Sequence, residues 1–392
     1  MPDAVIVSAV RTAIGTARKG TLSETEASLL AQPVVEEALA RTGLAPAEID
    51  DLILAESLYG GGVVARYVAV VAGMDTVPGL AHNRHCASGM AAVQTAAASI
   101  MAGMDHAVIA GGVQSMSLSP RDKRRVPGSD DWEDWMSLSH PSTAEAPALD
   151  MSITVGWNTA QSVGASREDM DAWALRSHQR AIAAIDEGRF ATEILPLKVT
   201  TKDGSAVVFD TDEHPRRGST MEKLAALKPL HPEIEDFSIT AGNASGVNDA
   251  ASALVVTSDA FAASKGLSPL ATVKSWASVG VDPKDTGMAP TIAIPKALER
   301  AGLTIADVDL FEINEAFASV PIACVRVNDI DEDIINISGS GCSLGHPIAA
   351  TGARMLTTLI YDLARRGGGI GVAAMCAGGG MGSATVIEVA PG

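Results

Sequence analysis

The chain has 392 residues, and its 29 Lys and Arg residues against 47 Asp and Glu residues give a formal net charge of −18 at pH 7. At about 150 residues per domain, this length predicts two to three domains. A hydrophobic content of 47% is sufficient for a sizeable core and excludes an intrinsically disordered chain. The acidic balance excludes nucleic acid and anionic membrane surfaces as main partners, although a local arginine cluster could still attract a small anionic ligand.

Four cysteines in a chain of this length are too few for a disulfide framework, and they indicate a reducing compartment. No apolar run approaches the roughly 18 residues that a membrane-spanning helix needs. The first residues, MPDAVIVSAVRT, are typical of a strand and lack the layout of a targeting peptide. We therefore expect a cytoplasmic protein that does not insert into a membrane.

The elements that follow occur twice along the chain. Residues 38–50 (ALARTGLAPAEID) match residues 297–309 (ALERAGLTIADVD) at an offset of 259, and both close an amphipathic helix with a glycine just past its end. Each helix leads into a short apolar strand, at 52–57 or 310–315. A predicted helix and a predicted strand then follow in each copy. In the first copy the helix spans 88–103 and the strand 106–112, and in the second copy the helix spans 349–367 and the strand 370–375. This order predicts duplicated α/β units around buried sheets.

The two copies are separated by more chain than one copy contains. A second copy that starts near 264 is about 130 residues long, so an offset of 259 requires an insertion of about 125 residues in the first copy. Composition changes after Ser117, where a charged, proline-rich stretch begins, and a predicted strand at 252–258 returns to the first core. The predicted divisions are an N-terminal half of residues 1–117 and 245–263, an inserted domain of residues 118–244, and a C-terminal half of residues 264–392.

The repeat places a thiol and an imidazole at corresponding turns. Adding the offset to Cys86 gives 86 + 259 = 345, next to His346, and each residue precedes the equivalent helix of its copy. Because two-fold related units place equivalent helix N-termini near one another, we expect Cys86 and His346 to meet. A helix N-terminus and a nearby imidazole both lower a thiol pKa, so the pair is typical of a cysteine nucleophile with a histidine base.

A second cysteine lies in a glycine-rich turn. Cys376 ends a predicted buried strand in the segment CAGGGMGS, where free backbone N–H groups suit an oxyanion site, although a tight turn with a buried thiol is the alternative. Two thiols and one imidazole suit covalent acyl transfer in which one thiol is the nucleophile and the other an acid/base. Asn314 and Glu315 end the predicted strand at 310–315, and Asn314 could hold a water, donate to an oxyanion, or simply form a turn. Cys324 and Cys342 have no predicted role.

Cofactor signatures do not occur in the sequence. The glycine spacing does not fit a dinucleotide fingerprint, and no cysteine or histidine cluster has metal-ligand spacing. We therefore expect no metal and no bound cofactor.

Five segments, in order along the chain, resemble the thiolase family: NRHCASGMAAV, TAGNASGVNDAAS, EINEAFAS, GHPIAATGAR and CAGGGMGS. The resemblance covers almost the whole chain. It implies the α/β thiolase fold, in which duplicated βαβαβαββ halves form a five-layered αβαβα core and a loop domain is inserted in the first half. It also implies CoA and acyl-CoA as substrates and assembly as a homodimer or homotetramer.

The resemblance implies a role for each matched residue. Cys86 is similar to the nucleophile that takes the acyl group as a thioester, and His346 to the base that activates it. His346 and Asn314, the latter through a water, would form a first oxyanion hole, and the N–H groups of Cys86 and Gly378 a second. Cys376 is similar to the acid/base that exchanges the α-proton of acetyl-CoA.

The match is weaker around the CoA and acyl groups. Ser245 resembles the family serine near the pantetheine, and Arg216 and Arg217 are candidates for the adenosine-phosphate end, with an exposed charged loop as the alternative. Ala349 and Ala250 stand where family members commonly have glycine. These departures leave the acyl pocket and the oligomeric state open.

The leading hypothesis is the reaction 3-ketoacyl-CoA + CoA ⇌ acyl-CoA + acetyl-CoA by a ping-pong route through Cys86. One alternative is a decarboxylating ketoacyl synthase, which would normally require two catalytic histidines, whereas Asn314 occupies the place of one. The other is a non-catalytic protein that binds acyl-CoA. The sequence indicates neither the acyl group nor the direction of the reaction.

Overall fold

The computed structural model describes residues 2–58 and 63–391. The elements of the first half are β1 (Ala4–Thr12), β2 (Gly15–Thr16), α1 (Ala27–Ala40), β3 (Asp51–Ala55), α2 (Val64–Val71), β4 (Gly79–His82), α3 (Ser88–Met101) and β5 (Ala107–Ser115). The following segment contains β6 (Asp122–Arg125), β7 (Trp132–Trp135), α4 (Asn158–Val163), α5 (Arg167–Asp186), β8 (Ile194–Leu195), β9 (Leu197–Thr200), β10 (Ala206–Phe209) and α6 (Met221–Ala225). The chain then forms β11 (Asn248–Ser258), α7 (Asp259–Lys265), β12 (Ala271–Gly280), α8 (Ala289–Ala301), β13 (Leu310–Ile313), α9 (Ser319–Asn328), α10 (Ile348–Arg365), β14 (Gly369–Ala377) and β15 (Met381–Val389).

The large sheet shows the predicted duplication. Its strand order is β13-β14-β15-β12-β1-β11-β5-β3-β4, and the antiparallel β1–β12 pair joins the two halves at its centre. On each side of this pair the order repeats, with β1, β11, β5 and β3 equivalent to β12, β15, β14 and β13. The strand predicted at 252–258 is β11, which begins at Asn248 and returns to the first half between β1 and β5.

The two halves differ mainly in one connection. In the second half, β14 and β15 are joined by the turn Gly378–Gly380, whereas the equivalent strands β5 and β11 are separated by residues 116–247. The predicted insertion 118–244 lies inside this segment, and its standing as a separate domain stays a prediction. Within the segment, β8 adds to the large sheet beside β1, so the insertion packs directly on the first half.

Three hydrophobic clusters separate five layers. One cluster lies between α1 and the outer face of the first-half strands, and another between α8 and the outer face of the second-half strands. The third surrounds α3 and α10, which lie side by side between the two halves of the sheet. The predicted five-layered α/β core is therefore confirmed, because each amphipathic helix buries its apolar side against a strand layer.

The packing of α3 on α10 depends on glycine. A Cβ at Gly89 would lie 2.5 Å from the Ala349 carbonyl oxygen, and one at Gly352 would lie 2.3 Å from the Met90 nitrogen. Gly89 is the second residue of α3 and Gly352 is the fifth residue of α10, so the N-terminal parts of the two helices approach with their backbones in contact. Cys86 and His346 each lie two residues before the start of their helix. The first residues of the two helices, Ser88 and Ile348, are 348 − 88 = 260 positions apart, one more than the offset of 259 between residues 38–50 and 297–309.

Across residues 2–58 and 63–391, every helix is either too short or too polar to cross a bilayer.

Candidate functional site

Cys86 is held at the start of α3 by a strained turn. His85 has a φ of +47°, a left-handed conformation that is unusual for a residue with a side chain. Ser88 fixes this turn, because its hydroxyl donates to the His85 carbonyl at 2.6 Å and accepts from the Arg84 N–H at 2.7 Å. The turn therefore presents the half-buried Cys86 at the end of the central helix layer.

Two backbone N–H groups contact the Cys86 sulfur. They belong to Gly378 and to Cys86 itself, the two residues predicted to donate to an oxyanion. Burial raises the pKa of the Cys86 thiol, and these two hydrogen bonds offset only part of the increase. The thiol is consequently protonated at neutral pH and needs a base before it can attack.

The structure brings Cys376 close to Cys86. Cys376 lies at the end of β14, is 1% exposed, and pairs with Gly382 across the turn. Its pKa is raised, first by burial and then by the neighbouring Cys86. Cys324 on α9 also raises the pKa of Cys376, but by less than burial and Cys86 do. Burial raises the pKa of Cys324 itself to about 12. The site therefore contains two thiols that interact electrostatically.

His346 is buried in a defined tautomer. Its Nδ1 lies 2.7 Å from the Thr351 hydroxyl, and that hydroxyl donates to the Pro347 carbonyl at 2.9 Å. Because the hydroxyl proton is used in that bond, Thr351 must accept from Nδ1–H. The lone pair of His346 therefore lies on Nε2, which is buried without a partner among the described residues. Burial, and then the positive charge of Arg354, lower the pKa of His346 to about 3, so the ring is neutral and able to act as a base.

Asn314 meets the same site from the neighbouring strand. β13 and β14 are parallel and adjacent, so Asn314 and Cys376 both lie near the carboxyl edge of the sheet, where α/β proteins commonly bind ligands. Asn314 is fully buried, and both its amide oxygen and its amide nitrogen lack a partner among residues 2–58 and 63–391. A buried amide in this state can bind a water or an oxyanion.

The Glu315 carboxylate accepts hydrogen bonds from three different segments around the site, a role that its sequence position did not predict. Its carboxylate accepts hydrogen bonds from Trp173 Nε1 at 2.9 Å and from the Ser177 hydroxyl at 2.6 Å, both on α5. It also accepts from Asn336 Nδ2 at 2.8 Å and from the N–H of Cys342 at 3.0 Å. Cys342 lies four residues before His346 in the same loop. The carboxylate therefore ties the inserted segment to the loop that carries His346.

Asn248 and Gly345 fix the backbone at His346. The Asn248 side-chain oxygen accepts from the His346 N–H at 3.0 Å, and its Nδ2 donates to the Gly15 carbonyl at 3.0 Å. Gly345 has a φ of +108°, and a Cβ there would lie 2.4 Å from the Asn248 oxygen. Only glycine fits this position, a requirement that the GHP segment indicates but does not explain.

The residues predicted to contact CoA lie on two segments, each of which has a neighbouring residue bonded to the His346 loop. Ser245 is half-buried and donates its N–H to the Ala316 carbonyl at 2.9 Å, two residues from the Val247–His346 backbone pair. Arg216 and Arg217 are exposed on the loop after His214, whose ring lies against Gly246. Arg217 forms an ion pair with Asp186, with 2.8 Å between Nη1 and Oδ2. The structure thus places Ser245 two residues from the position that pairs with His346, and both arginines in an exposed loop.

Cys342, by contrast, is buried in the His346 loop with its sulfur 3.7 Å from the Glu315 carbonyl oxygen. Burial, and then the Glu315 charge, raise its pKa well above the usual value, so this thiol is unreactive. In the described part of the chain, His, Cys, Asp and Glu side chains do not form a group of three or more that could hold a metal ion.

Known proteins resemble the chain over its whole length. The model of the thiolase N-terminal domain matches residues 4–260, and the model of the thiolase C-terminal domain matches residues 267–389. An acetyl-CoA acetyltransferase of Cupriavidus necator is 40% identical, with 99% of this chain and 100% of the relative covered. A 3-ketoacyl-CoA thiolase of Bacillus subtilis is 39% identical with the same coverage.

Solved structures give the same result. The crystal structure of the Bacillus anthracis acetyl-CoA acetyltransferase matches with a TM-score of 0.89 and 40% identity, covering 99% of both chains. The crystal structure of human mitochondrial 3-ketoacyl-CoA thiolase matches with a TM-score of 0.91 and 35% identity, again over 99% of both chains.

Proposed function

Because the chain belongs to the thiolase family, we propose that it is an acyltransferase that moves acyl groups between CoA thioesters through a covalent intermediate on Cys86. The observation that carries this proposal is the meeting of two thiols, Cys86 and Cys376, at a turn where Gly378 donates its N–H to the Cys86 sulfur. The reaction is 3-ketoacyl-CoA + CoA ⇌ acyl-CoA + acetyl-CoA, with CoA and acyl-CoA as substrates and no further cofactor.

In the first half-reaction, His346 Nε2 takes the thiol proton of Cys86, and the sulfur attacks the keto carbon of the 3-ketoacyl-CoA. The bond between the α-carbon and this carbon breaks, leaving an acyl group on Cys86 and the enolate of acetyl-CoA. Asn314 and His346 are suited to stabilise the enolate oxygen, since Asn314 has two unpaired buried polar atoms. Cys376, whose raised pKa keeps it protonated, donates the proton that converts the enolate into acetyl-CoA.

In the second half-reaction, the thiol of a new CoA attacks the acyl-enzyme carbonyl. The developing negative charge on that oxygen is suited to the N–H groups of Cys86 and Gly378, which already lie against the sulfur in the resting site. The Cys376 thiolate left by the first half-reaction takes the proton of the CoA thiol, and the protonated His346 returns its proton to the Cys86 sulfur as acyl-CoA leaves. Condensation is the same sequence in reverse, with the Cys376 thiolate taking the α-proton of acetyl-CoA.

Ser245 is proposed to contact the pantetheine, since it is half-buried and lies two residues from Val247, which pairs with His346. Arg216 and Arg217 are proposed to attract the phosphates at the outer end of CoA. Arg216 is the stronger candidate, because Arg217 is already paired with Asp186.

Three assays separate this proposal from its alternatives. Thiolysis of acetoacetyl-CoA and of longer 3-ketoacyl-CoAs should release acetyl-CoA. Turnover of a malonyl thioester together with no thiolysis would instead favour a decarboxylating synthase, although Asn314 stands where that reaction needs a second histidine. Tight binding of CoA esters without turnover over a range of chain lengths would favour a non-catalytic protein.

We also infer that the protein forms a homodimer through α2 and β4, or a tetramer built from such dimers. On α2, Tyr67 is 58% exposed and Val70 is 46% exposed, and Leu80 on β4 is 41% exposed. β4 is the outermost strand, and no other described strand pairs with its free edge. Such an edge is normally covered in native proteins. Light scattering of the wild type and of the Leu80→Lys variant tests this interface, since the variant should shift towards the monomer.

A cytoplasmic location is proposed on chemical grounds. The mechanism requires Cys86 and Cys376 as free thiols, as they are in the structure, and a reducing compartment maintains that state.

A further inference from the structure

A buried arginine connects the two elements next to His346 and Asn314, the residues proposed to stabilise the enolate oxygen. Arg354 on α10 is 1% exposed and lies three residues after Thr351, whose hydroxyl orients the His346 ring. Residues three apart lie on the same face of a helix, and their side chains tilt towards its N-terminus. The Arg354 side chain therefore lies on the Thr351 side of α10, next to the support of His346.

The same arginine is bonded to the strand that leads to Asn314. Arg354 Nη1 donates to Glu312 Oε1 on β13 at 2.5 Å. Side chains on β13 alternate, with Phe311 in the outer cluster under α8 and Leu310 in the central cluster around α3 and α10. Glu312 and Asn314 follow Leu310 by two and four residues, so both face the central helix layer that contains Arg354.

The Ser340 hydroxyl joins this ion pair to the loop before α10. It donates to Glu312 Oε1 at 2.8 Å and accepts from Arg354 Nη2 at 3.3 Å. The next residue, Gly341, packs against Asn314, since a Cβ at Gly341 would lie 3.0 Å from Asn314 Oδ1. The three bonded side chains therefore fix the loop against which the Asn314 amide rests.

Glu312 neutralises the charge of Arg354 only in part. Burial raises the pKa of the Glu312 carboxyl to about 7, although Arg354 opposes this rise. Arg354 Nε is buried and has no partner among the residues that the structure describes. The remaining charge reaches the site, because Arg354 is, after burial, the second cause of the lowered pKa of His346. A positive charge in such buried surroundings is screened less than in water and stabilises negative charge that develops nearby.

We propose that Arg354 is a positioning residue for the carbon–carbon bond step, in which the enolate of acetyl-CoA forms. Glu312 and Ser340 hold its guanidinium, and the guanidinium supplies positive charge next to the oxyanion hole of Asn314 and His346. This inference rests on the proposed function and adds a residue to it. Transfer of the acyl group to or from CoA uses the second oxyanion hole, which is made of backbone N–H groups, and should depend on Arg354 much less.

The test compares two rates in each protein. Thiolysis of acetoacetyl-CoA breaks the carbon–carbon bond, whereas exchange of labelled CoA into acetyl-CoA only moves the acyl group. Arg354→Met combined with Glu312→Gln removes both charges and leaves no buried charge unpaired. This double variant should lower kcat for thiolysis about 10- to 100-fold, with KM and the exchange rate within about 3-fold of the wild type. Arg354→Gln removes the charge but keeps an N–H donor for Glu312, and it should show the same split even if the double variant does not fold.

Two further variants separate the charge of Arg354 from its packing. Arg354→Lys keeps the charge without the planar fork and should restore thiolysis to within about 10-fold of the wild type. Arg365→Met is the matched control on the same helix, because Arg365 is 34% exposed and pairs with Asp362 near the end of α10. It should change neither rate.

An equal fall in thiolysis and exchange, or wild-type thiolysis in a folded Arg354→Gln protein, would overturn the inference. The proposed function would then still be supported by thiolysis in the wild type. Absence of thiolysis in the wild type would overturn both.

Discussion

Removing the Thr351 hydroxyl should disable the base while leaving the fold intact. In the wild type this hydroxyl accepts from His346 Nδ1–H at 2.7 Å and so keeps the lone pair on Nε2. In the Thr351→Val variant, Nδ1–H loses a buried partner, which costs about 1–3 kcal/mol, or the proton moves to Nε2 and blocks the base. Either result removes activation of Cys86. The expected loss in kcat is about 5- to 160-fold, since each 1.36 kcal/mol is a factor of ten.

The assay measures kcat for acetoacetyl-CoA thiolysis and, separately, the rate at which iodoacetamide alkylates Cys86. Thr351→Ser retains the hydroxyl and should keep both rates near the wild-type values. Thr357→Val is the matched control on α10, because Thr357 is equally buried but donates to the Ala353 carbonyl at 3.0 Å. It should lose stability without losing kcat. A folded Thr351→Val variant with wild-type kcat and alkylation rate would refute the assignment of the tautomer.

Further predictions concern the second thiol, the network behind the site, and pH. Cys376→Ala should still acylate on Cys86 but should lose exchange of the acetyl-CoA α-proton with deuterium by NMR, and retained exchange would contradict its role as acid/base. Glu315→Gln turns one acceptor oxygen into a donor that faces N–H and O–H groups, so the free energy of unfolding measured in urea should fall by about 2–4 kcal/mol. A decrease below about 0.5 kcal/mol would contradict the hydrogen-bond network around Glu315. The folded pKa of His346, about 3, lies below its unfolded value, so the unfolded chain binds more protons and stability rises with pH from about 3 to 6.5. Lowering the pH from 6.5 to 5 should therefore cost about 2 kcal/mol from this group, and His346→Gln should lose correspondingly less stability over that interval than the wild type in urea unfolding. Equal pH dependence in both proteins would contradict the buried neutral ring.

The sequence predicts the part of the site that the duplication controls. Two copies of one β-turn-α-β unit place the N-termini of α3 and α10 in equivalent positions, and the structure packs these two helices side by side, as the predicted pairing of Cys86 with His346 requires. The projected offset reached Gly345 rather than His346, because the copies differ by one residue between the first repeat and these helices. Cys376 and Asn314 lie at the ends of the adjacent strands β14 and β13, and they were predicted from a glycine-rich turn and from a strand end rather than from the duplication.

Other features depend on contacts that no local pattern encodes. The hydrogen bond from Trp173 to Glu315 joins residues 142 positions apart, and the one from the His346 N–H to the Asn248 side chain joins residues 98 apart. Each links the inserted segment or the first half to the second half, and neither partner has a periodic neighbour that would signal it. The unpaired amide atoms of Asn314 are also visible only in the folded structure, because an isolated asparagine in the sequence gives no measure of its burial.

The most direct test of the account is the mass of the peptide that contains Cys86 after brief incubation with acyl-CoA. We predict the addition of one acyl group to this peptide, its loss on addition of CoA, and no addition in Cys86→Ser. The control Cys324→Ala, which removes a buried thiol on α9, should acylate like the wild type. An unmodified Cys86 in an enzyme that still turns over 3-ketoacyl-CoA would contradict the covalent route.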